Sequence, residues 1–247
     1  MRLSQAWIVA SKDFATYLKK RNIIYSIFVI PFLVSILLPG VIWYTMHTGN
    51  GGITPDELVV LMPAFTFFYL ILAGLIPTTI ASYSIVGEKV ERSLEPLLAT
   101  PTTDAEILFG KGLAAFALPV ASVLGGATIF MVLTDVLTRD VLGGYFFPNW
   151  DAALVLFLMV PLANVMSVEW NVLVSSRVSD VRIAAQVGSL LLLPFGGIYV
   201  LGELDVIPLG DMPTLLYITG ILALIDFLLL FVVQATFRRE EILTKWK

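Results

Sequence analysis

The residues that decide how this chain folds are GEKVERSLEPLLATP, Gly87 to Pro101. Glu88, Lys89, Glu91, Arg92 and Glu95 lie within them and Asp104 just beyond, yet the flanking runs Leu58–Ile85 and Leu108–Val136 are almost wholly apolar. Each run exceeds the roughly 20 residues that a helix needs to cross a bilayer. Val90, Leu94, Leu97 and Leu98 fall on one helical face of the insert, and Glu88, Glu91, Arg92 and Glu95 on the other. Glu88 precedes Arg92 by one helical turn, the favourable order for an exposed pair. Pro96 removes a backbone donor and Thr100-Pro101 ends the segment. The spacing predicts a short amphipathic helix at a membrane surface, then a turn and a second helix. The alternative is a solvated connector whose charge keeps it out of lipid.

Working outward, the same hydrophobic pattern recurs. Of 247 residues 58% are hydrophobic and 14% charged, against about a quarter charged in a soluble domain. Six runs have spanning length: Ile23–Met46, Leu58–Ile85, Leu108–Val136, Ala152–Ser175, Ile183–Leu201 and Leu215–Phe237. The first follows an amphipathic stretch and is too long for a signal peptide. An all-α membrane protein of six transmembrane helices is therefore expected, as one domain over residues 1–247. With these spans, all but Arg139 of the 15 Lys and Arg residues fall on one side. The positive-inside rule then puts both termini in the cytoplasm.

Helix boundaries are legible as well. Thr54-Pro55-Asp56-Glu57 and Thr103-Asp104-Ala105-Glu106 both have capping-box spacing, and Asp211-Met212-Pro213 opens the sixth run. Residues 1–22 place Leu3, Trp7, Ala10, Phe14 and Tyr17 on one stripe, with Gln5, Lys12, Asp13, Thr16 and Lys19 facing away. That pattern predicts a helix lying in the membrane interface, or one that caps the bundle. Residues 188–213 contain Pro194, Gly196, Gly197, Gly202 and Pro208. An irregular or re-entrant outer segment, or a hinge, is expected there.

Polar residues inside the spans are the candidates for a pathway. Asp226 lies mid-span, where an ionised acid is unfavourable by about 2.5–3.5 kcal/mol, and shares a face with Thr219 and Ala223. Glu169 lies nearer the cytoplasmic end of the fourth span. Asn164, Ser167, Asn171 and Ser175 form a separate stripe on that helix. These groups either line a translocation pathway or hydrogen-bond neighbouring helices. An ion channel or ion-coupled carrier built on Asp226 and Glu169 is one alternative function. An intramembrane enzyme is another, but His47, the single histidine, has no acid beside it. The chain has no Cys, hence no disulfide, thiolate metal site or cysteine nucleophile. No basic cluster interleaved with aromatics points to nucleic acid.

The stretch GEKVERSLEPLLATPTTDAEILFGK, Gly87 to Lys111, resembles the cytoplasmic signature of ABC-2 type transporter permeases, departing from the usual pattern at Val90 and Arg92. Weaker resemblance covers the N-terminal helix, the six spans, SSRVSDVRIAAQ after the fourth and the ending RREEILTKWK. It implies a permease subunit of an ATP-driven exporter. Residues 87–106 would then be a coupling segment, with Glu88, Glu91, Arg92, Glu95, Leu94 and Leu97 docking on a separate ABC ATPase subunit. It also implies short re-entrant helices before the last span. The expected partners are two such ATPases, a second permease chain (a copy or a related one) and membrane lipid. These residues contain no GxxxxGK[ST] phosphate cradle, so ATP and magnesium are expected on the partner and no cofactor on this chain.

Topology is directly testable, since single cysteines can be introduced into a cysteine-free chain. A membrane-impermeant maleimide applied to intact cells should label a cysteine at Asn50 and spare one at Ser93. Labelling at Ser93 would reverse the orientation.

Overall fold

The computed structural model describes residues 2–48, 54–90, 100, 102–178 and 180–236, and no strand occurs among them. An N-terminal helix, Leu3–Lys19, precedes six helical segments long and apolar enough to span a membrane. These are Tyr25–His47, Asp56–Ser82, Asp104–Leu142, Trp150–Arg177, Val181–Glu203 and Met212–Thr236. The second and fourth spans are each 56% buried, against 17% for the fifth and 22% for the sixth, so those two form the centre of the bundle. The first span packs on the third, the sixth on the fourth, and the fifth across the second and fourth.

The bundle is apolar outside and partly polar within. Ile36, Leu37, Phe157, Leu193, Phe227 and Phe231 are exposed, as side chains facing lipid should be, whereas Ser35, Thr78, Ser122, Ser167 and Asn171 are buried. Lipid supplies no hydrophobic drive for helices to associate, so close backbone approach and interhelical hydrogen bonds hold them together. At the contact of the first and third spans, a methyl on Gly126 would lie 2.8 Å from Ser35 Oγ and 3.1 Å from Pro31 O. Ser35 Oγ donates to Pro31 O at 2.6 Å and lies 2.8 Å from the hydroxyl of Tyr69 on the second span. Three helices therefore meet around one buried serine.

Prolines set the local shape of two spans. The first contains a π-helical turn, Tyr25–Val29, and the fourth another, Val155–Met159. Each ends two residues ahead of a proline, Pro31 and Pro161. A proline has no N–H for the carbonyl four residues earlier, which leaves Ile27 O without its usual donor. Ser122 Oγ on the third span donates to that oxygen at 2.5 Å. A neighbouring side chain thus replaces the lost backbone bond inside the membrane.

The helix ends follow their expected chemistry. Thr54 and Glu57 cap the second helix reciprocally, with Thr54 N–H donating to Glu57 Oε2 at 2.8 Å. Thr103 and Glu106 do the same for the third. Asp180 caps the fifth, and the third closes on Gly143 in the left-handed region at φ 69°. The fifth span is interrupted at Leu190–Leu191, between helices Val181–Ser189 and Leu192–Glu203. Backbone bonds there tighten to the three-residue repeat, with Leu191 N–H donating to Gly188 O and Leu193 N–H to Leu190 O. Residues 192–203 then run as regular helix through Gly196, Gly197 and Gly202, because Pro194 falls in the first turn, where its missing donor is harmless.

The N-terminal helix buries part of its predicted stripe, Ala10 and Tyr17, together with residues beside it. Ala6, Val9, Ala10, Asp13 and Tyr17 are buried, whereas Leu3 and Trp7 are 67% and 59% exposed. Its packed face is built mainly from small residues. The partner is the start of the third helix, where a methyl on Gly110 would lie 2.5 Å from Ala6 O and 2.8 Å from Val9 Cβ. Asp13, expected to face away, pairs with Lys111 at 3.4 Å, both side chains nearly fully buried.

A buried pair is costly to halve and cheap to replace. Lys111→Met alone should destabilise the protein by about 3–5 kcal/mol, seen as a lower melting temperature in detergent. Adding Asp13→Leu should restore most of the loss. Equal melting temperatures for wild type and Lys111→Met would remove the pair from the stability of the fold.

Candidate functional site

Two regions hold the candidate residues, one at the predicted cytoplasmic end and one inside the bundle. The first is built by two overlong helices. Pro55–Val90 has 36 residues and Asp104–Leu142 has 39, or about 54 and 58 Å at 1.5 Å per residue. The hydrocarbon core is about 30 Å thick. Both helices therefore extend well beyond it and bring Val90 and Thr103, the flanks of the charged stretch, to the same end of the bundle. Glu88 falls in the last helical turn of the second helix. Glu91, Arg92, Leu94, Glu95 and Leu97 lie outside the described residues.

The base of the third helix is held firmly. Glu106 Oε2 accepts from Thr103 N–H at 2.9 Å, while its Oε1 accepts from Arg2 N–H at 2.5 Å. One carboxylate thus closes the helix start and fastens the N-terminal helix to it. Asp13–Lys111 repeats the connection one to two turns later. Of these residues, the sequence marks only Thr103 and Glu106, as a cap. A lysine just inside an apolar helix, preceded by glycine, is the available signal for the rest.

Inside the bundle, the Asn/Ser stripe of the fourth span faces the second. Ser167 Oγ donates to Gly74 O at 2.6 Å. Asn171 Nδ2 donates to Thr78 Oγ1 at 3.2 Å and to Ser167 O at 2.8 Å. Thr78, absent from the predicted set, is the far side of this contact. Gly188 on the fifth span packs so closely here that an added methyl would overlap the Asn171 amide. Ser175 donates within its own helix, to Val172 O at 3.0 Å. Asn164 is fully buried, and neither amide atom has a hydrogen-bond partner among the described residues.

Glu169 and Asp226 face each other's helices instead. The buried face of the sixth span runs through Leu215, Thr219, Leu222, Asp226 and Val233; Ala223, expected on it, is exposed. Asp226 is 6% exposed, and neither carboxyl oxygen has a hydrogen-bond partner among the described residues. Glu169 Oε2 is buried and equally without one there, and the two acids lie within electrostatic reach of each other. Glu169 also lines a cavity of about 420 Å³ between the third, fourth and sixth spans. Leu108, Phe109, Leu113, Phe116 and Val172 supply its apolar walls, with Gln234 at one edge. No cluster of metal-ligating side chains occurs among the described residues.

A protein-family model described as ABC-2 family transporter protein matches residues 17–180. The match runs from the last turn of the N-terminal helix through the first four spans to the cap of the fifth. No curated protein matches the chain.

The two polar groups should respond differently to substitution. Asn171→Leu removes the bond to Thr78 between the second and fourth spans and should destabilise by about 0.6 kcal/mol, measured as thermal aggregation in detergent. Asp226→Asn removes no hydrogen bond and should leave stability unchanged while altering transport. Wild-type transport by Asp226→Asn would exclude that acid from the pathway.

Proposed function

The chain belongs to the ABC-2 family of transporter proteins, and from that premise we propose that it forms the pathway of an ATP-driven exporter, moved by ATPase subunits that dock on residues 87–106. It is a multi-pass membrane protein and the permease of an ABC transporter, a family that works with ABC ATPase partners. Hydrolysis takes place on separate polypeptides, which hold the ATP and magnesium. Two permease chains, identical or related, join two ATPases, and both termini lie in the cytoplasm.

The observation that carries this reading is the projection of the second and third helices beyond the thickness of the hydrocarbon. The two helices that flank the charged stretch are continuous with the membrane core. Force applied to that stretch would tilt both spans. Glu88, Glu91, Arg92 and Glu95 suit polar contact with a partner, while Leu94 and Leu97 suit an anchor. The N-terminal helix, fixed at the base of the third, would travel with it and keep Leu3 and Trp7 toward the interface. An ion channel has no need of such a projection.

Charge reversal separates docking from mere solvation. The double variant Glu91→Lys, Glu95→Lys should insert and purify normally, yet lose ATPase association or substrate-stimulated hydrolysis. Wrong-sign charges at an interface oppose binding by several kcal/mol. Glu203→Lys, at the opposite end of the bundle, should bind ATPase like wild type. A double variant that assembles and hydrolyses normally would leave residues 87–106 as a solvated connector.

A further inference from the structure

We propose that the cavity between the third, fourth and sixth spans is a binding site for a lipophilic organic cation, with Glu169 as its counter-ion. This rests on the permease reading for its role in transport, but the site itself is argued from the cavity. Its volume, about 420 Å³, lies in the range of small-molecule pockets. Its lining is apolar apart from Glu169 and Gln234, and it includes two aromatic rings, Phe109 and Phe116. Among the described residues, Glu169 is its single ionisable lining group.

Charge selects the ligand class. Glu169 Oε2 and both Asp226 oxygens lack hydrogen-bond partners among the described residues, and Asp226 is near enough to act on Glu169 across the contact of the fourth and sixth spans. A carboxylate in such surroundings is unfavourable unless paired. A second acid nearby raises that penalty for Glu169, and a cation in the cavity relieves it. An inorganic ion would leave the apolar walls unused and find few oxygen ligands. A cation with a bulky apolar body satisfies walls and acid together, and the aromatic faces add cation–π attraction. An anion or a neutral lipid tail would leave the acids as they are.

The position connects the site to the proposed drive. Ala105 and Gly112, which also line the cavity, belong to the same turns of the third helix as Glu106 and Lys111. A tilt of that base would reshape the cavity wall.

The test uses the purified full chain in zwitterionic nanodiscs without ATPase, with radiolabelled tetraphenylphosphonium as probe and empty nanodiscs as blank. Tetraphenylborate, of the same shape and opposite charge, is the control. Saturable phosphonium binding at one site per chain is expected, with borate excluded. Glu169→Gln should weaken phosphonium binding at least tenfold and narrow the difference between the two ions. Gly112→Leu should abolish binding by filling the cavity, since a Cβ there meets only Val168, at 4.0 Å. Monodisperse elution of both variants establishes that they fold. Equal binding of the two ions, or an unchanged phosphonium affinity in Glu169→Gln, overturns the proposal. So does phosphonium binding that emerges only after Arg238 and Arg239 are both replaced by Ala, since the chain's own tail would then fill the site. Phosphonium binding without any response from added ATPase supports the site and counts against the coupling. ATPase association without phosphonium binding removes the site and leaves the coupling in place.

Discussion

Inside hydrocarbon a polar group has only the protein to bond to, and that constraint organises this structure. Backbone carbonyls of the first and second spans are answered by side chains from their neighbours. Pro31 deprives Ile27 O of its donor, and Ser122 supplies one from the third span. Gly74 O on the second span accepts from Ser167 on the fourth. Such contacts specify register more than they add stability, since each contributes on average well under about 1 kcal/mol in a membrane. Their value lies in direction. A hydroxyl that must reach one carbonyl fixes the rotation of its whole helix, which apolar contact alone leaves loose.

The third helix gathers most of these constraints on one rod. Within its first turns it carries the Glu106 cap, the Gly110 contact with Ala6 and the Lys111 pair. Further along it carries Ser122 and Gly126 against the first span. The N-terminal helix and the first span are thus attached to the same rod at different heights. The fourth span, by contrast, is joined to the second through Ser167 and Asn171 and to the sixth beside Asp226. The cavity lies where the third helix meets the fourth and sixth.

Much of this is legible in the sequence, for identifiable reasons. The six spans follow from the length of apolar runs, and the helix starts at Thr54, Thr103 and Asp211 from local chemistry that no tertiary contact overrides. The N-terminal helix is legible only in part, because its large apolar residues Leu3 and Trp7 stay exposed while smaller ones mark the face packed on the bundle. In a membrane protein tight packing favours small residues, so Ala6 and Ala10 meet the bundle while Leu3 and Trp7 remain exposed. Asp13 is hidden for a related reason, because its partner is 98 positions away. The bond that Ser122 supplies where Pro31 removes one depends on what stands opposite that proline, which one helix cannot reveal. The break in the fifth span falls at Leu190–Leu191, not at Gly196-Gly197, since glycine permits irregular backbone without requiring it. Of the site residues, Glu169, Asp226, Asn164 and Asn171 can be placed on helix faces by periodicity. Which of them meet each other depends on the packing.

That packing separates two kinds of buried polarity on one helix. Ser167 and the Asn171 Nδ2 are bonded to the second span, so those donors cannot bind a ligand without first releasing Gly74 or Thr78. Glu169, on another face of the same helix, has a buried oxygen with no such obligation and opens on a space lined by carbon. A group already satisfied within the fold stabilises one arrangement of helices. A carboxyl left without a partner beside a cavity lowers its free energy by holding a proton or by pairing with a cation that enters. The fourth span therefore presents its stable contacts toward the second span and its unpartnered carboxyl toward the third and sixth. Under the proposed coupling, the second and third helices move together, so the third reshapes the cavity wall while the second pulls on the fourth through Ser167 and Asn171. Binding and mechanical drive would then act on opposite sides of one helix, and the strength of that helix's attachment to the second span would determine how much of the drive reaches the ligand.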